Sequence, residues 1–213
     1  MSYPENHHVL IVEDNSPDGT AEIVKSLQKE YPERLFIEER AGKMGLGTAY
    51  IHGFKWSLNR GYEYIFEMDA DFSHDPDKLN ELLSACKTGG ADLAVGSRYC
   101  KGGKVKNWPL NRIMMSYFAS VYVRMILWIN IKDTTAGYKC YRKKVLENIQ
   151  FENIHFKGYA FQICMKYAAV KKGFKVTEVP ITFIDREKGQ SKMSMGIFKE
   201  AFFGVWKMRS MKL

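Results

Sequence analysis

The sequence lacks the features of secreted, disulfide-rich and membrane-spanning chains. Its cysteines, Cys86, Cys100, Cys140 and Cys164, form neither a C-x-x-C pair nor a metal-ligand spacing, which favours free thiols in a reducing compartment over bridges or zinc. The start, MSYPENHHV, has no charged-then-apolar signal pattern. The most lipid-like stretch, MMSYFASVYVRMILWINI, is broken by Arg124 and falls short of the roughly 20 apolar residues that a spanning helix needs. We therefore expect a cytoplasmic protein that is soluble or peripheral to a membrane.

Each sign of charge is scarce in one half of the chain. Residues 1–99 carry 10 Lys and Arg against 17 Asp and Glu, whereas residues 100–213 carry 22 against 7. The basic half is expected to attract nucleic acid, an acidic membrane surface or a phosphorylated lipid, unless it is only a solvated surface. Nucleic acid is disfavoured because the aromatic residues follow helical patterns and form no exposed stacking platform.

The pattern of apolar residues predicts a single α/β domain over residues 1–213, with no repeat or low-complexity linker. Strand-like runs alternate with helical segments, which is typical of a mostly parallel central sheet flanked by helices. The predicted strands are HVLIVED, RLFIEER, YEYIFEMDA, ADLAVGSRY and KVTEVPITFI. The predicted helices are Thr20–Glu30, Gly47–Asn59 and Pro76–Lys87, and residues 100–110 and 185–195 are predicted to be basic loops that serve a site.

The stretch FEMDADFSHDP carries the strongest chemical signal. It places Asp69 and Asp71 at the carboxyl end of a predicted buried strand, where open α/β sheets bind their ligands. Because side chains alternate along a strand, both carboxylates are expected to point the same way and to offer oxygens to one hard cation. Magnesium or manganese held in this way usually bridges to substrate phosphates, so a nucleoside diphosphate is the expected partner. Helix capping is the alternative role for these aspartates.

A second acidic pair ends the first predicted strand. In VLIVEDNSPDGT, Glu13 and Asp14 precede a sharp turn into a helix. Their carboxylates could accept hydrogen bonds from a base or a ribose, but the segment is also good turn chemistry. The pattern does not decide between these interpretations.

Six segments cover nearly the whole chain: IVEDNSPDGT, GKMGLGTAYIHG, MDADFSHDP, GSRY, TTAGYKCYR and EVPITFIDREKGQSKMS. In order and spacing they resemble the dolichyl- or polyprenyl-phosphate mannose synthases, which are family 2 glycosyltransferases of the A-type nucleotide-sugar fold. GLGTAYIHG together with MDADFSH is the most specific part. The resemblance implies inverting transfer of mannose from GDP-mannose to a polyprenyl or dolichyl phosphate at the cytoplasmic membrane face, with a divalent cation.

The resemblance also implies roles for acidic residues of the first half, which would bind nucleotide sugar and metal. Asp69 and Asp71 would hold Mg²⁺ or Mn²⁺ on the diphosphate and stabilise the charge that develops as GDP leaves. Glu13 and Asp14 would lie near the nucleoside, although Glu13 stands where aspartate is usual in the family. The acceptor is an ionised phosphate and needs no general base, so His74 is not expected to be catalytic.

The basic half, residues 100–213, would face acceptor and membrane. The implied acceptor-phosphate ligands are Arg98, Arg112 and Ser116, and the implied covering loop carries Arg186, Lys188, Ser191 and Lys192. Arginine forks suit a phosphate, while a surface ion pair is the alternative for each. The residues expected to be catalytic are Asp71 and Arg98.

The C-terminal segment SMGIFKEAFFGVWKMRSMKL predicts an amphipathic helix with basic residues around an apolar face. Such a helix lies in the lipid interface or packs on the sheet, and the same alternatives apply to residues 113–131. If the chain is peripheral, an acidic membrane surface or a membrane-anchoring partner protein would hold it at the bilayer.

The chain departs from the family pattern in two ways. Family members usually begin with a further strand and helix that carry an Ile-Pro-Thr-Tyr-Asn-Glu-like motif inside the sheet, and this chain opens at what would be the second strand. In GYAFQICMKYA, Cys164 stands where glutamate is common. The alternatives are therefore a related transferase that uses UDP-glucose or another sugar nucleotide, and a truncated or degenerate protein that binds nucleotide or lipid phosphate without turnover.

Overall fold

The computed structural model describes residues 7–156, 158–185, 195–211 and 213, without the side chains of residues 195–199. Helices and strands alternate along most of this length, as the periodicity predicts. In chain order they are β1 (Val9–Glu13), α1 (Thr20–Glu30), β2 (Leu35–Glu39), α2 (Leu46–Asn59), β3 (Tyr64–Glu67), α3 (Leu79–Lys87), β4 (Leu93–Ser97), β5 (Lys104–Lys106), α4 (Leu110–Leu127), β6 (Lys139–Arg142), α5 (Lys143–Glu147), α6 (Tyr159–Lys171), β7 (Val176–Pro180), β8 (Thr182–Ile184) and α7 (Met195–Ser210). A 3₁₀ turn, Pro76–Lys78, leads into α3, and the Asp75 side chain caps it by accepting the Asp77 N–H at 2.9 Å.

The described strands form a four-stranded sheet and two ribbons. The sheet has the order β3-β6-β4-β7, in which β6 runs antiparallel to both neighbours and β4 runs parallel to β7. β1 pairs in parallel with β2, and β5 with β8. The predicted α/β architecture is confirmed. The sequence pattern did not indicate β6, because a four-residue strand that begins with Lys139 and ends with Arg142 has no apolar run.

The predicted strand KVTEVPITFI is two strands that belong to different sheets. β7 pairs with β4, and after Pro180 the chain passes to the ribbon with β5. Ile181 joins the two pairings, since its N–H donates to Ser97 O at 3.1 Å and its carbonyl accepts the Lys104 N–H at 2.9 Å. The middle of the predicted loop 100–110 is therefore strand β5, which its lysine-rich sequence did not reveal.

The sheet is interrupted between β1 and β3. Within the described residues, β1 pairs only with β2, and β3 only with β6. Side-chain contacts connect the start of β1 with β3 and the residues before it. His8 Nδ1 lies 2.6 Å from Tyr62 Oη, and the rings of His7 and Phe66 meet edge to face. That the family's further strand is missing from inside the sheet stays a prediction, and the interruption offers two strand edges at which such a strand could pair.

Helix α6 forms the centre of the core. It is mostly apolar and nine of its 13 residues are buried, as expected of a helix enclosed by other elements. Helix α2 packs against it through Gly47, where a Cβ atom would overlap the Phe156 carbonyl oxygen and the Phe161 ring. Cys164 is fully buried in α6, and burial raises its pKa to about 12, so this thiol behaves as a small apolar group.

A buried polar network joins β3, β6 and α6. The Lys139 Nζ lies 3.0 Å from Glu67 Oε2 and donates to Gln162 Oε1, and the Gln162 Nε2 donates to Glu67 Oε1. The Tyr141 hydroxyl also donates to Glu67 at 3.3 Å. Burial raises the pKa of Glu67 and lowers that of Lys139 against the opposing effect of the partner charge. The pair is fully enclosed, so each charge depends on the other for its solvation.

Helices α4 and α7 pack together and expose apolar residues. The Tyr122 hydroxyl donates to Phe202 O at 2.9 Å and accepts the Trp206 indole N–H at 3.0 Å, and the Tyr122 and Phe202 rings stack. Val205 is buried while Phe203 and Trp206 are exposed, so α7 both packs on the core and presents an apolar face. No helix in the described part of the chain is long and apolar enough to cross a bilayer.

The network predicts how the fold responds to loss of one charge. Lys139→Met leaves Glu67 buried without a counter-charge, so we expect the free energy of unfolding to fall by about 3–5 kcal/mol. The double variant Lys139→Met with Glu67→Leu should recover most of that loss, because no buried charge remains. Urea unfolding measures both. Lys55→Met, which removes the exposed partner of Glu152, serves as the control and should cost under about 1 kcal/mol. Equal losses for Lys55→Met and Lys139→Met would contradict the argument.

Candidate active site

A cavity of about 410 Å³ opens among β4, α4, α6 and α7. Part of its lining is polar: Asp69, His74, Arg98, Arg112, Ser116, Thr135 and Gln162. Another part is apolar and comes mainly from the helices: Met115, Phe118, Ala119, Tyr122, Val123, Ile163, Ala201 and Phe202. The cavity is thus suited to a ligand with one anionic and one hydrocarbon part.

Asp69 and Asp71 lie in the loop after the carboxyl end of β3, as predicted. The Tyr50 hydroxyl donates to Asp69 Oδ1 at 2.8 Å, and the Ser73 N–H donates to Asp71 Oδ1 at 3.1 Å. β3 ends at Glu67, so strand alternation does not set the directions of these side chains, contrary to the sequence argument. Directly after Asp71, Phe72 is 93% exposed with a φ of 62°, a conformation rare for a bulky residue. Asp69 lines the cavity.

His74 is buried beside Asp69 and lines the cavity. Its Nδ1 accepts the Asp69 backbone N–H at 3.2 Å, and its ring stacks on Tyr138. Burial lowers the pKa of His74, although the carboxylates of Asp69 and Asp71 act in the opposite direction. The neutral ring with its proton on Nε2 therefore supports the loop that carries the aspartates, in agreement with a structural role.

Arg98 follows β4 and is held rigidly. Its Nε and Nη2 donate to the two carboxylate oxygens of Asp133 at 2.7 and 2.6 Å, and Nη2 also donates to Thr135 Oγ1 at 2.7 Å. Asp133 is fully buried. Burial favours its neutral form, but the charge of Arg98 outweighs burial and lowers the pKa of Asp133. Arg98 Nη1 has no hydrogen-bond partner within the described residues, so this arm of the guanidinium is available to a ligand.

The loop that holds Arg98 is itself held by a buried lysine. The Lys166 Nζ donates to the carbonyl oxygens of Thr134 and Ala136 at 3.0 and 2.6 Å. Burial lowers the pKa of Lys166 well below its usual value, with the nearby Lys139 acting in the same direction. On the other side of the loop, Glu178 accepts the Asp133 N–H at 2.9 Å. Hydrogen bonds from α6 and β7 therefore hold the loop to which Arg98 is bound.

Arg112 and Ser116 belong to α4, one turn apart, and both line the cavity. The Arg112 guanidinium lies 4.0 Å from the centre of the Trp108 ring, and its Nη1 donates to Asp185 Oδ2 at 2.8 Å. Arg98 lies 5.4 Å from the same ring. The structure thus brings the three predicted acceptor-phosphate residues to one cavity, with an aromatic ring near both guanidinium groups.

Glu13 and Asp14 end β1, and neither is among the residues that line this cavity. The Glu13 carboxylate accepts the N–H groups of Asn15 and Ser16 at 2.8 and 2.7 Å, and the hydrogen bonds from Ser16 lower its pKa. Asp14 forms a two-point ion pair with Arg40. Glu13 thus stabilises the turn, while Asp14 fixes an arginine, and a nucleoside role for either stays a prediction.

Comparison with known proteins assigns the family. The family model described as glycosyl transferase family 2 matches residues 2–150. The chain is 49% identical over 204 residues to a polyprenol monophosphomannose synthase of Mycolicibacterium smegmatis, which covers 95% of this chain and 77% of that protein. It is 48% identical over 197 residues to an undecaprenyl-phosphate mannosyltransferase of Micrococcus luteus, covering 92% and 80% of the two chains. This chain belongs to glycosyl transferase family 2.

Solved structures support the same fold for this family 2 glycosyltransferase. Glucosyl-3-phosphoglycerate synthase from Mycobacterium tuberculosis, in complex with Mn²⁺, UDP-glucose and phosphoglyceric acid, superposes with a TM-score of 0.68 at 11% identity. The match covers 93% of this chain and 67% of that one. At this identity the likeness concerns the fold alone, and it confirms the predicted A-type nucleotide-sugar architecture.

Sequence reasoning missed residues that hold the predicted ones in place. Asp133 binds Arg98, Arg40 binds Asp14, and Lys166 binds the loop at 134–136. None of the three lies in a motif that signals such a role. Their partners are distant along the chain, so only an arrangement in space reveals them. The predicted covering-loop residues Arg186, Lys188, Ser191 and Lys192 lie outside the described residues. Among those described, no three or more acidic, histidine or cysteine side chains group as metal ligands.

The environment of His74 predicts a pH-dependent stability. The pKa of His74 is lower in the folded chain than the usual value of roughly 6.5, so the unfolded chain binds the proton more tightly. The free energy of unfolding that His74 contributes is present above pH about 6.5 and is lost as pH falls towards the folded-state pKa. Thermal melting between pH 7 and 5 measures this slope. His74→Asn keeps an acceptor for the Asp69 N–H but does not titrate, so its slope should be smaller. Identical slopes would count against a neutral His74.

Proposed function

We propose that this glycosyltransferase transfers mannose from GDP-mannose to a polyprenyl or dolichyl phosphate, with inversion at the anomeric carbon and with Mg²⁺ or Mn²⁺. The observation that carries the proposal is that Asp69, Arg98 and Arg112 line one cavity together with apolar side chains of α4, α6 and α7. The names of the two relatives, both at nearly half identity, point to mannose and to a polyprenyl carrier.

The acceptor phosphate would bind between Arg98 and Arg112. Arg98 has a free arm and Arg112 has a single rim ion pair, and guanidinium groups match phosphate oxygens in two-point hydrogen bonds. Ser116 adds a hydroxyl on the same helix as Arg112. The first isoprene units would then extend along Phe118, Tyr122 and Phe202, where their hydrocarbon leaves water.

The residues of the β3 loop suit a divalent cation. The carboxylates of Asp69 and Asp71 offer the oxygen ligands that a hard cation prefers, and the Tyr50 hydroxyl and the Ser73 N–H each orient one of them. Asp69 and Gly137 both line the cavity, and a Cβ atom on Gly137 would lie 3.6 Å from Asp69 Oδ2. When bound, Mg²⁺ or Mn²⁺ would neutralise the diphosphate and ease its departure.

The protein would promote the reaction mainly by binding and orientation. An acceptor phosphate oxygen carries its own negative charge, so it can attack the anomeric carbon without losing a proton to a base. As the new bond forms, the bond from that carbon to the diphosphate breaks, and the electron pair leaves with GDP. Arg98 and Arg112 would fix the attacking oxygen, and the apolar walls would limit the competing attack by water. The neutral, buried His74 agrees with this scheme.

The apolar face of α4 and α7 would lie against the cytoplasmic surface of a membrane. The exposed side chains on and beside these helices include Leu110, Met114, Phe118, Met125, Trp128, Phe203 and Trp206. The cavity opens between the same helices, so a lipid acceptor could enter without crossing water. Lys207 and Arg209 near the end of α7 would attract acidic headgroups.

Two other functions compete with this one. A transferase that uses UDP-glucose or another sugar nucleotide would have the same aspartates and acceptor cavity, so only donor selectivity separates it. A non-catalytic protein that binds nucleotide or lipid phosphate is favoured by the interruption between β1 and β3, whereas the retained Asp69 and Asp71 favour turnover.

A transfer assay distinguishes these functions. Radiolabelled mannose from GDP-mannose should appear on a short polyprenyl phosphate in the presence of Mn²⁺ or Mg²⁺, and UDP-glucose should be a poor donor. Asp71→Ala should lower the turnover rate by at least about 100-fold, because stabilisation of the leaving diphosphate is lost. Asp77→Ala removes an exposed aspartate close by in sequence and should change little. Binding of GDP-mannose without transfer would support the non-catalytic alternative.

Vesicle binding tests the membrane face. Phe203→Ser with Trp128→Ser removes two exposed aromatic side chains from this face, and the partition coefficient onto vesicles with acidic lipid should fall at least about tenfold. Ile23→Ser is the control, since Ile23 is 61% exposed on helix α1, which packs on β1 and β2. Flotation with vesicles compares the unmodified chain, the double variant and Ile23→Ser. Equal losses of vesicle binding in Ile23→Ser and the double variant would refute the assignment of the face.

A further inference from the structure

The two arginines of the acceptor cavity differ in how they are paired. Arg98 is buried and binds Asp133 through two guanidinium nitrogens and its backbone N–H, with Asp133 fully enclosed. Arg112 has one ion pair, from Nη1 to Asp185 Oδ2 at 2.8 Å, and the two side chains are 22% and 27% exposed. The Arg98 pair is therefore a permanent part of the fold, whereas the Arg112 pair can be exchanged at low cost.

The contact with Asp185 uses the arginine that an acceptor phosphate would need. The Arg112 guanidinium lies over the Trp108 ring, 4.0 Å from its centre, and this contact holds it at the cavity wall. Its Nε and Nη2 have no hydrogen-bond partner within the described residues, and Nη1 is held by Asp185. A phosphate that takes two parallel hydrogen bonds from Arg112 must either displace Asp185 or bind beside a carboxylate that repels it.

We propose that Asp185 is an intramolecular competitor that occupies Arg112 when the acceptor is absent and lowers the affinity of the site for the acceptor phosphate. This inference rests on the proposed function. Asp185 follows β8, and its N–H donates to Lys106 O of β5 at 3.3 Å. Its backbone can therefore stay in place while its carboxylate leaves Arg112. Lipid phosphate replaces a carboxylate on the same guanidinium, without a covalent step.

The competition has a consequence for the product. Glycosyl transfer converts a phosphate monoester, with a charge between −1 and −2, into a diester with a charge of −1. The attraction of Arg112 for the lipid phosphate then weakens while its attraction for Asp185 is unchanged. Asp185 therefore regains Arg112 more readily from product than from substrate, which assists product release.

Binding of farnesyl phosphate to the whole chain tests the proposal by calorimetry, independently of turnover. Asp185→Asn should bind farnesyl phosphate about fivefold more tightly than the unmodified chain, as expected for loss of a partly exposed ion pair. Asp185→Ser should do the same, and Asp185→Glu, which keeps the carboxylate, should stay close to the unmodified affinity. Unchanged or weaker binding by both Asn and Ser variants overturns the proposal.

A double-variant cycle separates competition from a general charge effect. In an Arg112→Gln background no guanidinium is left to compete for, so Asp185→Asn should then change the affinity less than about twofold. A gain that persists in that background would mean that Asp185 merely repels the phosphate, and the proposal would be wrong. Glu152→Gln removes an exposed ion-paired carboxylate elsewhere and should leave binding unchanged. If farnesyl phosphate binds none of the proteins, the acceptor assignment fails as well, which distinguishes that result from failure of the competition alone.

Discussion

The buried ion pair of Glu67 and Lys139 is the interaction on which the central architecture depends. These residues come from β3 and β6, and Gln162 of α6 completes their hydrogen bonds. The interaction connects β3 to its neighbour β6 and both strands to α6. Because Gln162 also lines the cavity, the same network extends from the core to the wall of the candidate site.

The two arginines of the site differ because the carboxylate partner of one is buried and that of the other is partly exposed. Asp133 is enclosed and accepts three hydrogen bonds from Arg98, so the Arg98 guanidinium is held in one position at the cavity. Asp185 lies at the rim and holds Arg112 through one contact, so this arginine can change partners. A rigidly held arginine beside an exchangeable one suits the proposed reaction, in which a charged lipid binds, reacts and leaves.

Much of the fold could be predicted from the sequence because its signals are local. Helix α1 follows from periodicity alone, and the turn before α3 follows from a cap and a proline that are adjacent in sequence. β6 could not be predicted, since Lys139 is a poor strand signal until Glu67 is known to lie beside it. The division between β7 and β8 also escaped prediction, because the exchange of partners at Ile181 depends on where β4 and β5 lie.

In the candidate site, too, the features with local sequence signals could be predicted and those that depend on distant partners could not. The sequence by itself determined that two aspartates follow a buried strand and that basic residues dominate the second half, because both are properties of consecutive residues. Tertiary structure alone decided that Arg98 pairs with Asp133, 35 residues away, and that Arg112 pairs with Asp185, 73 residues away. It alone also decided that apolar side chains of α4, α6 and α7 line the cavity beside these arginines. Such contacts arise from packing of distant segments, and no local pattern of residues encodes which of many similar charges will meet.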